Sequence, residues 1–81
     1  MTRTKTINCA NDFYESRFNE VCEALEQGET VGVYIDCIGH TRNNMAQEVY
    51  KEHLQKKYGD KLTIERSSGA YSYSYTYTLK K

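Results

Sequence analysis

Cys9 is the first residue with obvious chemical potential. It stands a few positions before an acidic stretch patterned as a helix. A thiol at a helix N-terminus is stabilised as thiolate by the free amides and the helix dipole, and the thiolate is the reactive form. Asp12 opposes this, because a neighbouring carboxylate raises a thiol pKa. The competing reading is a half-buried cysteine at a strand end. Cys37 and His40 form a Cys-x-x-His pair. If the strands they close lie beside the strand that Cys9 closes, all three converge at the carboxyl ends of parallel strands, where open α/β sheets bind ligands. A zinc site wants four ligands and the sequence offers no evident fourth, so no metal and no cofactor is assigned.

Other residue groups could bind rather than react. Thr41, Arg42, Asn43 and Asn44 precede a second helix-patterned stretch and could hold an anion through amides and the guanidinium. Lys51, Lys56, Lys57, Lys61 and Arg66 form a basic stretch suited to phosphates, although lysines in a last helical turn also complement the dipole. Tyr71, Tyr73, Tyr75 and Tyr77 alternate with serine and threonine. Such a row is either an aromatic platform for bases or a protein, or one side of a core. No glycine-rich phosphate loop and no Ser-His-Asp order is present. The chain therefore reads as a binding protein rather than an enzyme.

The elements that must position these residues follow from pattern. Residues 2–9 alternate and are threonine-rich, as in a strand. Tyr14, Phe18, Val21, Cys22 and Leu25 recur at helical spacing, which predicts a helix over 12–27 with Asp12 and Glu15 as a capping pair and Gly28 as its stop. Val31, Val33, Ile35 and Cys37 then share one strand face, opposite Tyr34 and Asp36. Residues 40–44 read as a polar loop and 45–59 as a second helix, with Ala46, Val49, Tyr50, His53 and Leu54 inward. His53 reads as a satisfied core histidine. A strand over 61–66, a turn at 67–70 and a strand over 71–81 complete a hairpin. The order β-α-β-α-β-β predicts a two-layer α/β (α+β) sandwich. Its four-stranded mixed sheet would carry both helices on one face and leave the other face open. Leu79 shares the tyrosine side, so the tyrosines belong beneath the helices, with Tyr71 or Tyr77 able to project past their ends. The open face would carry Thr4, Thr6, Tyr34, Asp36, Thr63, Glu65 and the Ser/Thr row.

At 81 residues the chain is one domain, a monomer or a homodimer. Eleven basic and eleven acidic residues give no net field to draw the whole protein to nucleic acid or membrane. The halves differ: residues 1–40 sum to −4 and residues 41–81 to +4. Three cysteines with no framework spacing read as free thiols in a reducing, cytoplasmic setting. No leader-like or membrane-spanning apolar run is present.

Several local features together resemble the TusA/SirA-type sulfur-carrier family. They are Gly28-Glu29 closing the first helix, Asp36 ending the second strand, and a hairpin whose last strand is Tyr-Ser-Tyr-Thr-Tyr-Thr-Leu-Lys-Lys. Nearly the whole chain is covered. Alba-type and initiation-factor C-terminal nucleic-acid-binding folds share the element order. The family's Cys-Pro-x-Pro motif is met here by Cys9-Ala10-Asn11-Asp12, with neither proline. The resemblance implies the fold and a persulfide-carrying role for Cys9. Three functions are thus in play. The first is a non-enzymatic module docking on a protein partner through the acidic first helix, the polar face with Tyr34 and Asp36, and the edge with His40, Arg42 and Asn43. An inhibitor or accessory factor of a mobile element is one such role. The second is a sulfur carrier, and the third a nucleic-acid binder using the basic half and the tyrosines.

Overall fold

The computed structural model describes residues 4–36, 39–69 and 72–80. The elements are β1 (Thr4–Asn8), α1 (Glu15–Glu26), β2 (Thr30–Tyr34), α2 (His40–Tyr58), a single 3-10 turn at Gly59–Lys61, β3 (Leu62–Ser68) and β4 (Tyr73–Leu79). The four strands form one mixed sheet in the order β1-β2-β4-β3. β1 and β2 run parallel, and β4 is antiparallel to both β2 and β3. Both helices cover one face, as expected from two amphipathic helices with one apolar stripe each.

The two helices begin at different places from those the sequence predicts. α1 starts at Glu15, not at residue 12, with Tyr14 at the cap and no side-chain capping bond. Asp12 instead accepts a hydrogen bond from the Phe13 amide at 2.7 Å, so its carboxylate is used in the preceding loop. That loop is pinned by Tyr50, whose hydroxyl donates to the Asp12 carbonyl at 3.2 Å and accepts from the Tyr14 amide at 3.0 Å. The far end of α1 behaves as read. Gly28 has φ +88, the Glu29 amide reaches the Ala24 carbonyl and the Gly28 amide reaches Leu25, which is a Schellman closure. α2 begins at His40, so the expected polar loop at 40–44 is its first turn. His53 is exposed rather than in the core. Its Nδ1 lies 2.8 Å from the Val49 carbonyl, and its ring stacks on Phe13 at 4.4 Å.

The tyrosines of β4 face the helices. Tyr77 is 0% exposed and Tyr75 is buried, beside Val31, Val33, Leu25, Tyr50 and Leu54. Tyr77 therefore does not project past the helices, because β4 lies between β2 and β3 and its middle falls under the core. Tyr71 lies outside the described residues. A tyrosine row can serve as a core only if its hydroxyls find partners. Glu48 on α2 supplies one: its Oε2 accepts from the Tyr73 hydroxyl at 2.8 Å and from the Tyr75 hydroxyl at 2.5 Å. Lys51 pairs with the same carboxylate at 3.0 Å and sits over the Tyr75 ring. Arg66 lies over the Tyr73 ring at 4.1 Å. The Tyr77 hydroxyl is buried without a hydrogen-bond partner among the described residues.

Two outcomes follow. Hydrogen bonds from Tyr75 and Tyr73, with a smaller part from Lys51, hold the Glu48 carboxyl at about 2. A free glutamate titrates near 4.3, so this stabilisation is complete above that value and fades as pH falls toward about 2. Urea unfolding between pH 5 and 2.5 will show a steeper loss for the wild type than for Glu48→Gln. Tyr77→Phe removes a buried hydroxyl that has no partner. It will raise stability by about 1 kcal/mol, a Tm gain of roughly 4–8 °C in calorimetry.

Candidate functional site: a cleft where two strands part

β2 and β4 pair only at Val31↔Tyr77 and Gly32↔Thr76. Continued in register, Val33 would oppose Tyr75 and Ile35 would oppose Tyr73. The strands separate instead, and side-chain amides of α2 fill the gap. Gln47, 1% exposed, donates from Nε2 to the Val33 carbonyl at 2.8 Å. Its Oε1 accepts from the Tyr75 amide at 3.3 Å. One turn earlier, Asn43 Nδ2 donates to the Tyr73 carbonyl at 3.1 Å, and Asn44 Oδ1 accepts from the Tyr73 amide at 3.2 Å. These bonds replace ladder bonds that the backbone would otherwise lose, since buried amides and carbonyls must be paired.

The parting leaves a cleft of about 410 Å³, roofed by the first turns of α2 and walled by the β3–β4 hairpin. Tyr34, His40, Asn43, Ser67, Ser72 and Ser74 line it. Among the described residues no Lys, Arg, Asp or Glu does so. Its size falls in the ordinary range for ligand pockets. Its chemistry is that of hydroxyls, amides, one imidazole and two tyrosine rings, Tyr34 and Tyr73, which suits an uncharged polar segment and offers little to a phosphate.

Of the residues singled out in the sequence, Tyr34, His40 and Asn43 meet here. Tyr34 is 51% exposed and its ring lies at the cleft mouth. Asp36 is exposed just past β2 and outside the cleft lining, its amide held by the Ala10 carbonyl. Arg42 points to the other side of α2, toward Asp12 and Met45. Tyr77 is in the core and cannot meet a partner. Tyr71 and Cys37 lie outside the described residues, so the expected convergence of Cys9, Cys37 and His40 does too.

Cys9 is 0% exposed and follows β1 directly. α1 starts six residues later, so the thiol is not at a helix N-terminus. Burial pushes its pKa up, and the smaller lowering effects of Tyr50 and Arg17 do not reverse this. The environment of Cys9 is thus the opposite of the one that generates a thiolate.

The open sheet face has alternate strand positions Thr4, Thr6, Thr30, Gly32, Tyr34, Thr63, Glu65, Ser67, Ser74, Thr76 and Thr78, together with Asn8. Glu65 is the one charged residue among them. Thr78 donates to the Thr30 hydroxyl at 3.1 Å across the strands. No lysine or arginine stands at these positions to meet a nucleic-acid backbone. The basic stretch is partly spent on tyrosines: Lys51 and Arg66 cap Tyr75 and Tyr73, and Lys57 lies over Tyr58.

Gln47 is the site residue that the sequence reading passed over, and Asn44, read there as part of an anion-binding loop, instead pairs with the Tyr73 amide. A signal was present, because Gln47 lies three and seven positions before Tyr50 and Leu54, on the inner stripe. A polar residue on an apolar stripe calls for a buried partner. No protein-family model matches the chain, and no curated protein matches it.

The amide wedge sets an outcome for mutation. Gln47→Ala strands the Val33 carbonyl and the Tyr75 amide and will cost about 2–4 kcal/mol in urea unfolding. Gln47→Glu keeps the shape but turns an acceptor toward the Val33 carbonyl, so it will also destabilise. If Gln47→Glu unfolds like the wild type at neutral pH, packing rather than hydrogen bonding holds the strands apart.

Proposed function

We propose that this chain is a small non-enzymatic binding protein. It takes an exposed segment of a protein partner into the cleft between β2 and β4 and acts there as a regulator, inhibitor or accessory factor. The observation that carries this reading is the cleft itself: a preformed, uncharged, polar groove held open by three side-chain amides. A polypeptide presents amides, carbonyls and hydroxyls of matching kind. Groups fixed in advance lose little freedom on binding, which favours affinity. Tyr34 at the mouth has the residue type and exposure of an interface anchor.

The sulfur-carrier reading draws no support from this geometry, since its thiol is enclosed and its pKa is raised. The nucleic-acid reading loses its platform, because Tyr75 and Tyr77 are in the core and no Lys or Arg stands at the described strand positions of the open face.

The test begins with capture of a partner by the tagged wild-type chain, identified by mass spectrometry. Tyr34→Ala and Ser67→Arg change exposed groups of the cleft and should leave unfolding unchanged. Each will weaken the captured partner by about 30-fold in calorimetric titration, the scale of a hot-spot loss. A control at Glu23, on the exposed side of α1, will bind as the wild type does. Full binding by both cleft variants would sink the proposal.

A further inference from the structure

A second surface lies on the outer side of α2. Thr41, Met45 and Val49 stand at i, i+4 and i+8 and form one ridge along the helix. Met45 is 64% exposed, the most exposed large hydrophobic side chain among the described residues. A furrow flanks the ridge on each side. One, of about 380 Å³, reaches Asn44 and Tyr73; the other, of about 470 Å³, reaches Asp12, Arg42 and Ala46. Knob and hollow therefore lie on the same patch. A surface with both is complementary to itself about a two-fold axis. Ridges of i±4 spacing interdigitate in the commonest packing of two helices.

The charges at the second furrow fit the same occupant. Asp12 and Arg42 border it together, one of each sign. Among the described residues neither forms an ion pair within the chain. A two-fold pairing that brings Arg42 of one copy to Asp12 of the other does so twice, by symmetry. A foreign partner would need to reproduce this alternation, and a second copy carries it already. We infer that the ridge Thr41–Met45–Val49 is a homodimer contact, with each Met45 seated in a furrow of the other copy and two reciprocal Asp12–Arg42 pairs at its rim.

A small specific interface buries about 1,200 Å² in total, or about 600 Å² from each copy. That is near a tenth of the 5573 Å² surface of this chain. The contact leaves Tyr34, His40 and the hairpin serines of the cleft free, and only Tyr73 borders both the cleft and a furrow.

Sedimentation equilibrium of the intact chain tests it. At concentrations of about 100 µM, above a micromolar Kd, the mass will approach twice the 9.4 kDa of the protomer. Met45→Glu will weaken association by at least about 30-fold, while circular dichroism and the Tm measured at concentrations where the wild type is monomeric stay unchanged. Arg42→Asp alone and Asp12→Arg alone will each give monomers, because like charges then meet at both rim contacts. Mixed in equal amounts, the two variants will form a heterodimer, since both contacts become attractive again. A wild type that stays at 9.4 kDa up to about 1 mM overturns the inference. So does a Met45→Glu variant that dimerises like the wild type, or a mixture that fails to associate.

Discussion

The Gln47 amide is the contact on which the arrangement turns. It sits in the core with both of its polar ends engaged, one on each of two strands. An amide buried without partners is costly, and a strand edge buried without partners costs about as much for each group. Here each liability satisfies the other. β2 and β4 can separate above Gly32 because Gln47 takes over the bonds they relinquish. The separation makes room for the cleft, and the cleft exists at no loss of backbone pairing at Val33 and Tyr75. Asn43 and Asn44 repeat the device one turn earlier at Tyr73. Helix α2 thus serves as a surrogate strand for the upper half of β4.

This explains why so polar a helix is stable where it lies. Its fully buried set is short: Ala46, Gln47, Tyr50 and Leu54. Burial of so few side chains fixes the helix only loosely. The remaining hold comes from directed bonds: three amides to strand backbone, Tyr50 to the loop before α1, and Tyr58 to Glu26 at 2.9 Å. Glu48 adds a further tie through the tyrosine hydroxyls. Hydrogen bonds of this kind are modest in net energy but strict in geometry. They fix the register of α2 against β4, and with it the position of His40 and Asn43 over the cleft.

Much of this was legible from pattern alone. Alternation placed Val31, Val33 and Ile35 inward and Tyr34 outward, and it placed the tyrosines under the helices because Leu79 marks their side. Gly28 announced the end of α1. What escaped the reading depends on partners distant in sequence. Asn43 and Asn44 have low helix propensity and belong by local rules to a cap or loop. Their bonds to Tyr73, 29 and 30 residues away, make them helical. The insertion of β4 between β2 and β3 has the same origin, since hairpin rules join β3 to β4 but say nothing of which strand takes the next place. Cys9 was misplaced because the residues that look like a helix start, Asp12 to Tyr14, are held as a loop by Tyr50, and α1 starts only at Glu15.

The same helix carries the cleft on one side and the Met45 ridge on another, and the two sides have different chemistry for a structural reason. Toward β4, α2 must present amides, since strand backbone has to be matched there. Away from the sheet no such demand applies, yet Met45 is apolar and exposed. The other outward positions of α2 are mostly polar. The proposed dimer contact rests on this apolar side chain and the two furrows beside it. The wedge residues and the ridge residues occupy neighbouring positions, 43, 44 and 47 against 41, 45 and 49. Any turn of α2 about its axis that spoiled the ridge would therefore also pull Gln47 from Val33 and Tyr75, so the bonds that open the cleft hold the ridge in place as well.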